Sequence, residues 1–199
     1  MIEKLRLLVS WIVALSLVAT LFLSQNGWQT RAPFMGAFLF VLGIVLASIG
    51  SFGRIWCSLY IAGYKTDSLI MDGPYSMCRN PLYFFSFLGA VGVGFTTGTF
   101  LVPAVIVLAF GVYYPLVIKS EETGLKTIHH DAFEHYLKKV PSFFPKLALL
   151  KEPEEYIVKP VLFRIHLCDA IWFIWCIGII VILKELHEHH ILPSLLTIY

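Results

Sequence analysis

Five apolar runs constrain what this chain can fold into: residues 7–24, 33–53, 82–98, 101–118 and 165–183. Each approaches the ~20 residues that carry a helix across a bilayer. Only 14% of the residues are charged against 58% hydrophobic, well short of the roughly 25% charge of a soluble domain. The expected fold is all-α: a polytopic membrane helical bundle of about five transmembrane helices, forming a single membrane domain over 1–199. The first run follows Lys4 and Arg6, as a secretory signal would. No small-x-small cleavage site follows it, and further spans come after, so it is read as a retained helix.

The basic residues orient these spans. With the N-terminus in the cytoplasm, the inner side collects Lys4, Arg6, Arg54, Lys65, Arg79, Lys119, Lys126, Lys138, Lys139, Lys146, Lys151, Lys159 and Arg164. The outer side keeps Arg31 and Lys184. The net charge of +2 therefore reports topology, and no nucleic-acid partner is expected. Cys57, Cys78, Cys168 and Cys176 form no C-x-x-C pair and none falls in an outer loop, so neither a disulfide framework nor a metal site is expected.

Two polar segments, 54–81 and 119–164, interrupt the spans on the cytoplasmic side, and any chemistry must be built there. In the first, Asp72-Gly73-Pro74 is a turn signal. Arg79-Asn80-Pro81 then stands at the threshold of an apolar helix. One reading makes Asn80 its N-cap, Pro81 its first residue and Arg79 a side chain reaching for headgroups. The other adds an anion held by Arg79 and the helix N-terminus. In the second segment Ile118, Leu125, Ile128, Ala132, Phe133 and Tyr136 recur at helical spacing, predicting one amphipathic helix. Glu122 falls on its apolar side and Glu121 at the border. An inward carboxylate beside a membrane requires a cation, so an anion site at Arg79 and a cation site at Glu121 and Glu122 would together suit a zwitterion.

Other features read as structural. Gly89, Gly92 and Gly94 follow no strand, which removes the dinucleotide reading and leaves helix packing. His187, His189 and His190 read as a solvated helix end, and His129, His130 and His135 as a polar face with Asp131 and Glu134. Asp169, one turn inside the last span, is either a functional acid or a hydrated partner of Arg164.

Together, "GPYSMCRNPLY", a transmembrane hairpin through Thr96-Thr97-Gly98-Thr99, "EETGL" and "FEHYLKKVPSFFP" resemble the isoprenylcysteine carboxyl methyltransferase and phospholipid methyltransferase superfamily. The pattern there is G-x-Y-x-x-x-R-H-P-x-Y, a hairpin, E-E-x-x-L and Y-x-x-Y-x-x-x-V-P. The resemblance covers about residues 50–146; the last span, about 165–183, lies beyond it. It implies an integral, multi-pass membrane enzyme that binds S-adenosylmethionine in a cytoplasm-facing pocket. Carried over residue by residue, it makes Tyr75, Arg79, Asn80, Pro81, Tyr83, Glu121 and Glu122 cofactor-binding. Lys139 fills the basic position before V-P, where it would neutralise an acceptor carboxylate, so Lys139 and Glu122 are the catalytic candidates. Asn80 departs from the usual His, and Ser142 and Phe143 stand where many relatives carry Arg. The implied acceptor is lipophilic: an isoprenylcysteine-like carboxylate, a lipid amine or a thiol met in the bilayer. A sterol-reductase-type enzyme using NADPH, which the paired acids disfavour, and a non-catalytic scaffold or transporter are the competing readings.

Overall fold

A computed structural model describes residues 22, 24–28, 32–64, 68–192 and 196–198. The first expected span, 7–24, lies almost wholly outside the described residues. The described chain forms α1 (Pro33–Ile61), α2 (Pro74–Met77), α3 (Pro81–Thr96), α4 (Leu101–Lys139), a 3-10 turn (Leu147–Leu149) and α5 (Pro160–Glu188). Helices α1, α4 and α5 are long and apolar enough to cross a membrane, and α3 is a shorter apolar helix. Their outer faces carry exposed Phe34, Phe52, Val112 and Trp175, as a lipid-facing surface should. The molecule is a helical membrane bundle.

One addition to the all-α expectation is a pair of three-residue parallel strands, β1 (Ser24–Asn26) and β2 (Leu196–Ile198). Two helices are also longer than their apolar runs. Helix α1 continues through Arg54 to Ile61, and α5 begins at Pro160 rather than 165. Hydrophobicity marks where lipid is, whereas backbone hydrogen bonding carries a helix beyond the lipid into polar sequence.

Helices α1 and α3 meet backbone to backbone. A Cβ on Gly92 would fall 2.4 Å from the Ala47 nitrogen, and one on Gly50 would fall 2.5 Å from the Gly89 Cα. Small residues permit this approach, which is how apolar helices associate in lipid. Helix α5 joins by seating Phe173 over Gly89, where a Cβ would lie 2.2 Å from the ring. The predicted hairpin is present. The Thr97 hydroxyl donates to the Gly94 carbonyl at 2.7 Å and lies 2.9 Å from that of Thr99, while Gly98 takes a left-handed φ of +77°.

The single amphipathic helix predicted after the hairpin is not what forms. Helix α4 breaks at His130, with φ 42° and ψ −118°. Ile118, Phe133 and Tyr136 are buried as expected, but Ile128 and Ala132 are exposed. The chain folds back at the break, so Lys126 meets Glu134 at 2.9 Å across it. Spacing assigned a common face to residues that lie on two helical segments.

Candidate functional site

The end of the bundle opposite the Thr96–Thr99 turn is built by zipping the two polar segments together. The backbone nitrogens of Arg79 and Asn80 donate to the Pro141 and Ser142 carbonyls at 2.8 and 3.2 Å. Those of Lys146 and Gly73 donate to Met77 and Lys151 at 3.0 and 2.8 Å. Gly73 takes φ +58°, and a Cβ there would strike the Tyr60 ring at 2.4 Å. The Tyr136 hydroxyl donates to the Tyr75 carbonyl at 2.6 Å, and both rings are buried. Burial pushes both phenols up from their ordinary range and the Cys78 thiol up to about 12. These three groups stay neutral, so the charge at the site comes from the acids and bases around them.

Arg79 and Glu122 lie together. The Arg79 Nε donates to Glu122 Oε1 at 2.9 Å, and its Nη1 donates to the carbonyls of Leu137, at 3.3 Å, and Val140. Arg79 does not reach for headgroups; it ties the loop before α3 to the end of α4. Asn80 does occupy the N-cap position of α3, with Pro81 following, but its side chain makes no cap bond. Its amide donates instead to Glu122 Oε1 at 3.2 Å and to the Ser142 carbonyl at 3.0 Å. An amide thus supplies a donor where the resemblance has an imidazole. Tyr83 donates to Glu121 Oε1 at 2.7 Å. The cation required by the inward acid is therefore Arg79, already in contact with it rather than opposed across a gap.

Beside this layer a cavity of about 670 Å³ runs between α3, α4 and the chain after the His130 break. Its wall is one stripe of α4: Val107, Phe110, Gly111, Tyr114, Pro115, Ile118, Lys119, Glu122, Thr123 and Lys126. These residues recur at three- and four-residue steps, the spacing of a helix face. The stripe is about 28 Å long at 1.5 Å per residue, apolar at one end and charged at the other. Phe87, Phe133, Leu137, Ser142, Phe143 and Phe144 complete it.

Of the residues selected from sequence, Glu122 alone lines this cavity. Arg79 and Asn80 bond directly to it, while Tyr83 and Glu121 form the neighbouring pair. Tyr75 lies in the core against Cys57 and Tyr60, its hydroxyl buried without a hydrogen-bond partner. Lys139 is exposed at the last residue of α4 and does not line the cavity. Lys119, Thr123 and Lys126 do, and reading the α4 stripe in both directions from Glu122 is the signal that finds them. The supposed solvated helix end is only partly so. His187 is buried, its ring nitrogens 2.8 Å from the Leu183 carbonyl and 3.0 Å from that of Phe22, whereas His189 is exposed. Asp169 faces His166 at 3.9 Å with both side chains exposed. Among the described residues no group of three His, Cys, Asp or Glu side chains is placed to hold a metal ion.

Comparison with known proteins decides the family. The model of the phospholipid methyltransferase family matches residues 32–132, from α1 through the paired acids. The chain belongs to that family. It is also 37% identical over 179 residues to the nickel-cobalt-cadmium resistance protein NccN of Alcaligenes xylosoxydans xylosoxydans, covering 90% of this chain and 83% of that one. The cobalt-zinc-cadmium resistance protein CzcN of Cupriavidus metallidurans is 33% identical over 189 residues, 94% of this chain and 86% of its own. The protein-S-isoprenylcysteine O-methyltransferase of Schizosaccharomyces pombe is 33% identical over 81 residues, 41% of this chain and 34% of that one. No solved structure matches the chain. The protein is thus a membrane methyltransferase by family.

Proposed function

We propose that this protein is an S-adenosylmethionine-dependent methyltransferase whose acceptor is an amphipathic lipid lying along the α4 stripe. The observation that carries the reading is Glu122. It lines the cavity, and its three hydrogen bonds all fall on Oε1, leaving Oε2 without a partner among the described residues. A carboxylate oriented by Arg79 and Asn80, with one oxygen uncommitted, suits the ammonium of a methionine moiety. Arg79 suits its carboxylate, because guanidinium bonds carboxylates strongly. The orphaned Tyr75 hydroxyl is a further donor in the layer behind. These residues fit the cofactor, which when bound supplies a methyl group on an electrophilic sulfonium.

The remaining catalytic work is positioning and exclusion of water. Phe87, Phe110, Tyr114 and Phe143 offer a dry wall for the acceptor's tail. Lys119 and Lys126 stand at the charged end, where they would hold an anionic head; Lys126 would do so in competition with Glu134. A carboxylate or thiolate acceptor needs orientation alone, whereas an amine must first lose a proton. In this reading the cavity mouth faces the cytoplasm. The metal resistance in two relatives' names suggests a setting in which the methylated product serves, without naming the acceptor.

The test uses purified protein and labelled cofactor, with an isoprenylcysteine analogue, a lipophilic thiol and phosphatidylethanolamine as acceptors. Cofactor binding by calorimetry is expected in the wild type, weakened in Glu122→Gln. The double variant Lys119→Ala/Lys126→Ala is expected to lose at least about tenfold in kcat/KM for the preferred acceptor with cofactor affinity intact. Lys139→Ala tests the alternative cation and should change kcat/KM by less than about twofold. A wild type that binds no S-adenosylmethionine overturns the proposal. A large loss confined to Lys139→Ala moves the acceptor head out of the cavity.

A further inference from the structure

We infer that α5 pairs with the α5 of a second copy of this chain, making the protein a parallel dimer in the membrane. Along α5, Ile165, Cys168, Trp172, Trp175, Ile179 and Ile182 stand three and four residues apart in strict alternation. That spacing averages about 3.5 residues, the repeat of a seam along which two helices coil around each other. All six are exposed. Ala170 and Ile180 are buried and the Phe173 ring sits over Gly89, so α5 packs on the bundle by its other side and turns the seam outward. Helix α5 lies beyond residues 32–132 matched by the family. The inference therefore concerns a helix outside that match and does not rest on the methyl-transfer reading.

Lipid covers an apolar face well enough, so the polar groups beside the seam identify its occupant. Arg164 and Asp169 flank the seam on opposite edges. Asp169 stands one turn inside the apolar run, where an ionised side chain is costly without a partner. Its ion-pair neighbour is His166, at 3.9 Å and charged only when protonated. Arg164 forms no ion pair among the described residues. Two copies insert with the same topology, so their α5 helices run parallel. In a parallel pair, a residue at one edge of the seam meets the residue at the other edge in the partner's next repeat. For Arg164 that residue is Asp169 of the second copy, and two-fold symmetry makes the contact twice. The aromatic residues agree. Trp172 and Trp175 stand midway along the run 165–183, whereas lipid-facing indoles belong at the membrane interfaces. Against a second copy they are covered by protein.

The native cysteine on the seam supplies the test, and no turnover is needed. The full-length protein in its own membranes would be oxidised with copper phenanthroline. Expected is a covalent dimer that is lost in Cys168→Ser and kept in Cys176→Ser, the latter position lying off the seam. In a background lacking the native cysteines, Ile165→Cys and Ile179→Cys should cross-link. Ile174→Cys and Val181→Cys, also exposed but off the seam, should not. Equal cross-linking at all four positions marks random collision and overturns the pairing. Native mass spectrometry in mild detergent would read the ion pairs. Arg164→Asp and Asp169→Lys should each weaken self-association at least about tenfold. Co-expressed, the two variants should form mixed dimers, because one chain then carries two acids and the other two bases. A monomeric wild type, or variants that dimerise alone as well as together, overturns the proposal. If either variant fails to insert, the cysteine pattern decides by itself.

Discussion

At the scale of single residues, the polar layer turns on Glu122, which accepts from Arg79, Asn80 and Ser142 on one oxygen. Removing a charged partner of such a network leaves the other group unsatisfied. Arg79→Ala and Glu122→Ala should each weaken S-adenosylmethionine binding by about 1–3 kcal/mol. Calorimetry showing wild-type affinity in both variants would dissociate the pair from the cofactor. His130 offers an opposite test. Its φ of 42° with ψ of −118° is a conformation that glycine tolerates and histidine does not, worth about 1–3 kcal/mol of strain. His130→Gly should therefore raise Tm in detergent, and a lowered Tm would show that the imidazole itself holds the turn.

At the scale of elements, two glycines make contrasting predictions. A side chain on Gly92 would run into the backbone of α1, with the Ala47 nitrogen 2.4 Å from its Cβ. Gly92→Leu should therefore separate α1 from α3 and lower Tm severely, overpacking costing at least about 1–3 kcal/mol. Gly111 has nothing within 4 Å of its Cβ position and lines the cavity. Gly111→Trp should leave Tm nearly unchanged while filling the stripe, raising KM for a lipid acceptor more than it weakens cofactor binding. If acceptor kinetics survive Gly111→Trp, the acceptor does not lie along α4.

At the scale of the whole molecule, the proposed function requires the charged end of the bundle to face the cytoplasm. In a background lacking the native cysteines, a membrane-impermeant maleimide applied from outside should label Phe100→Cys and miss Lys126→Cys. Phe100 is the better hairpin probe, being exposed, whereas Gly98 needs its left-handed φ. The reverse labelling pattern would remove the cytosolic cofactor. The native protein carries an internal reporter of packing at the same end. The Cys78 thiol, pushed up to about 12 by burial, stays protonated where an unfolded cysteine, near 8.5, ionises. Its contribution to stability is thus held at neutral pH and lost as pH rises through about 9 toward 12. Alkylation of Cys78 at pH 8 should be slow until the protein unfolds.

The sequence by itself determined the solvent, and through it the class of fold. Apolar runs near bilayer length with few charges leave a chain little choice but helices in lipid, because unpaired backbone is intolerable there. It also marked Arg79, Glu121 and Glu122, since a charge beside an apolar helix requires a partner, while Asn80 was marked as a helix cap and by the family resemblance. What it left open was which groups meet. Periodicity assumes a straight helix, and the break at His130 invalidates that assumption after residue 129. Only the folded chain therefore decided that Phe133 and Leu137 close a cavity while Lys139 is exposed outside it. Only the approach of three helices brought Arg54 to Ser86 and Phe173, residues 32 and 119 positions away in sequence. Local patterns carry the cost of a buried charge, but the position of its partner is a property of packing.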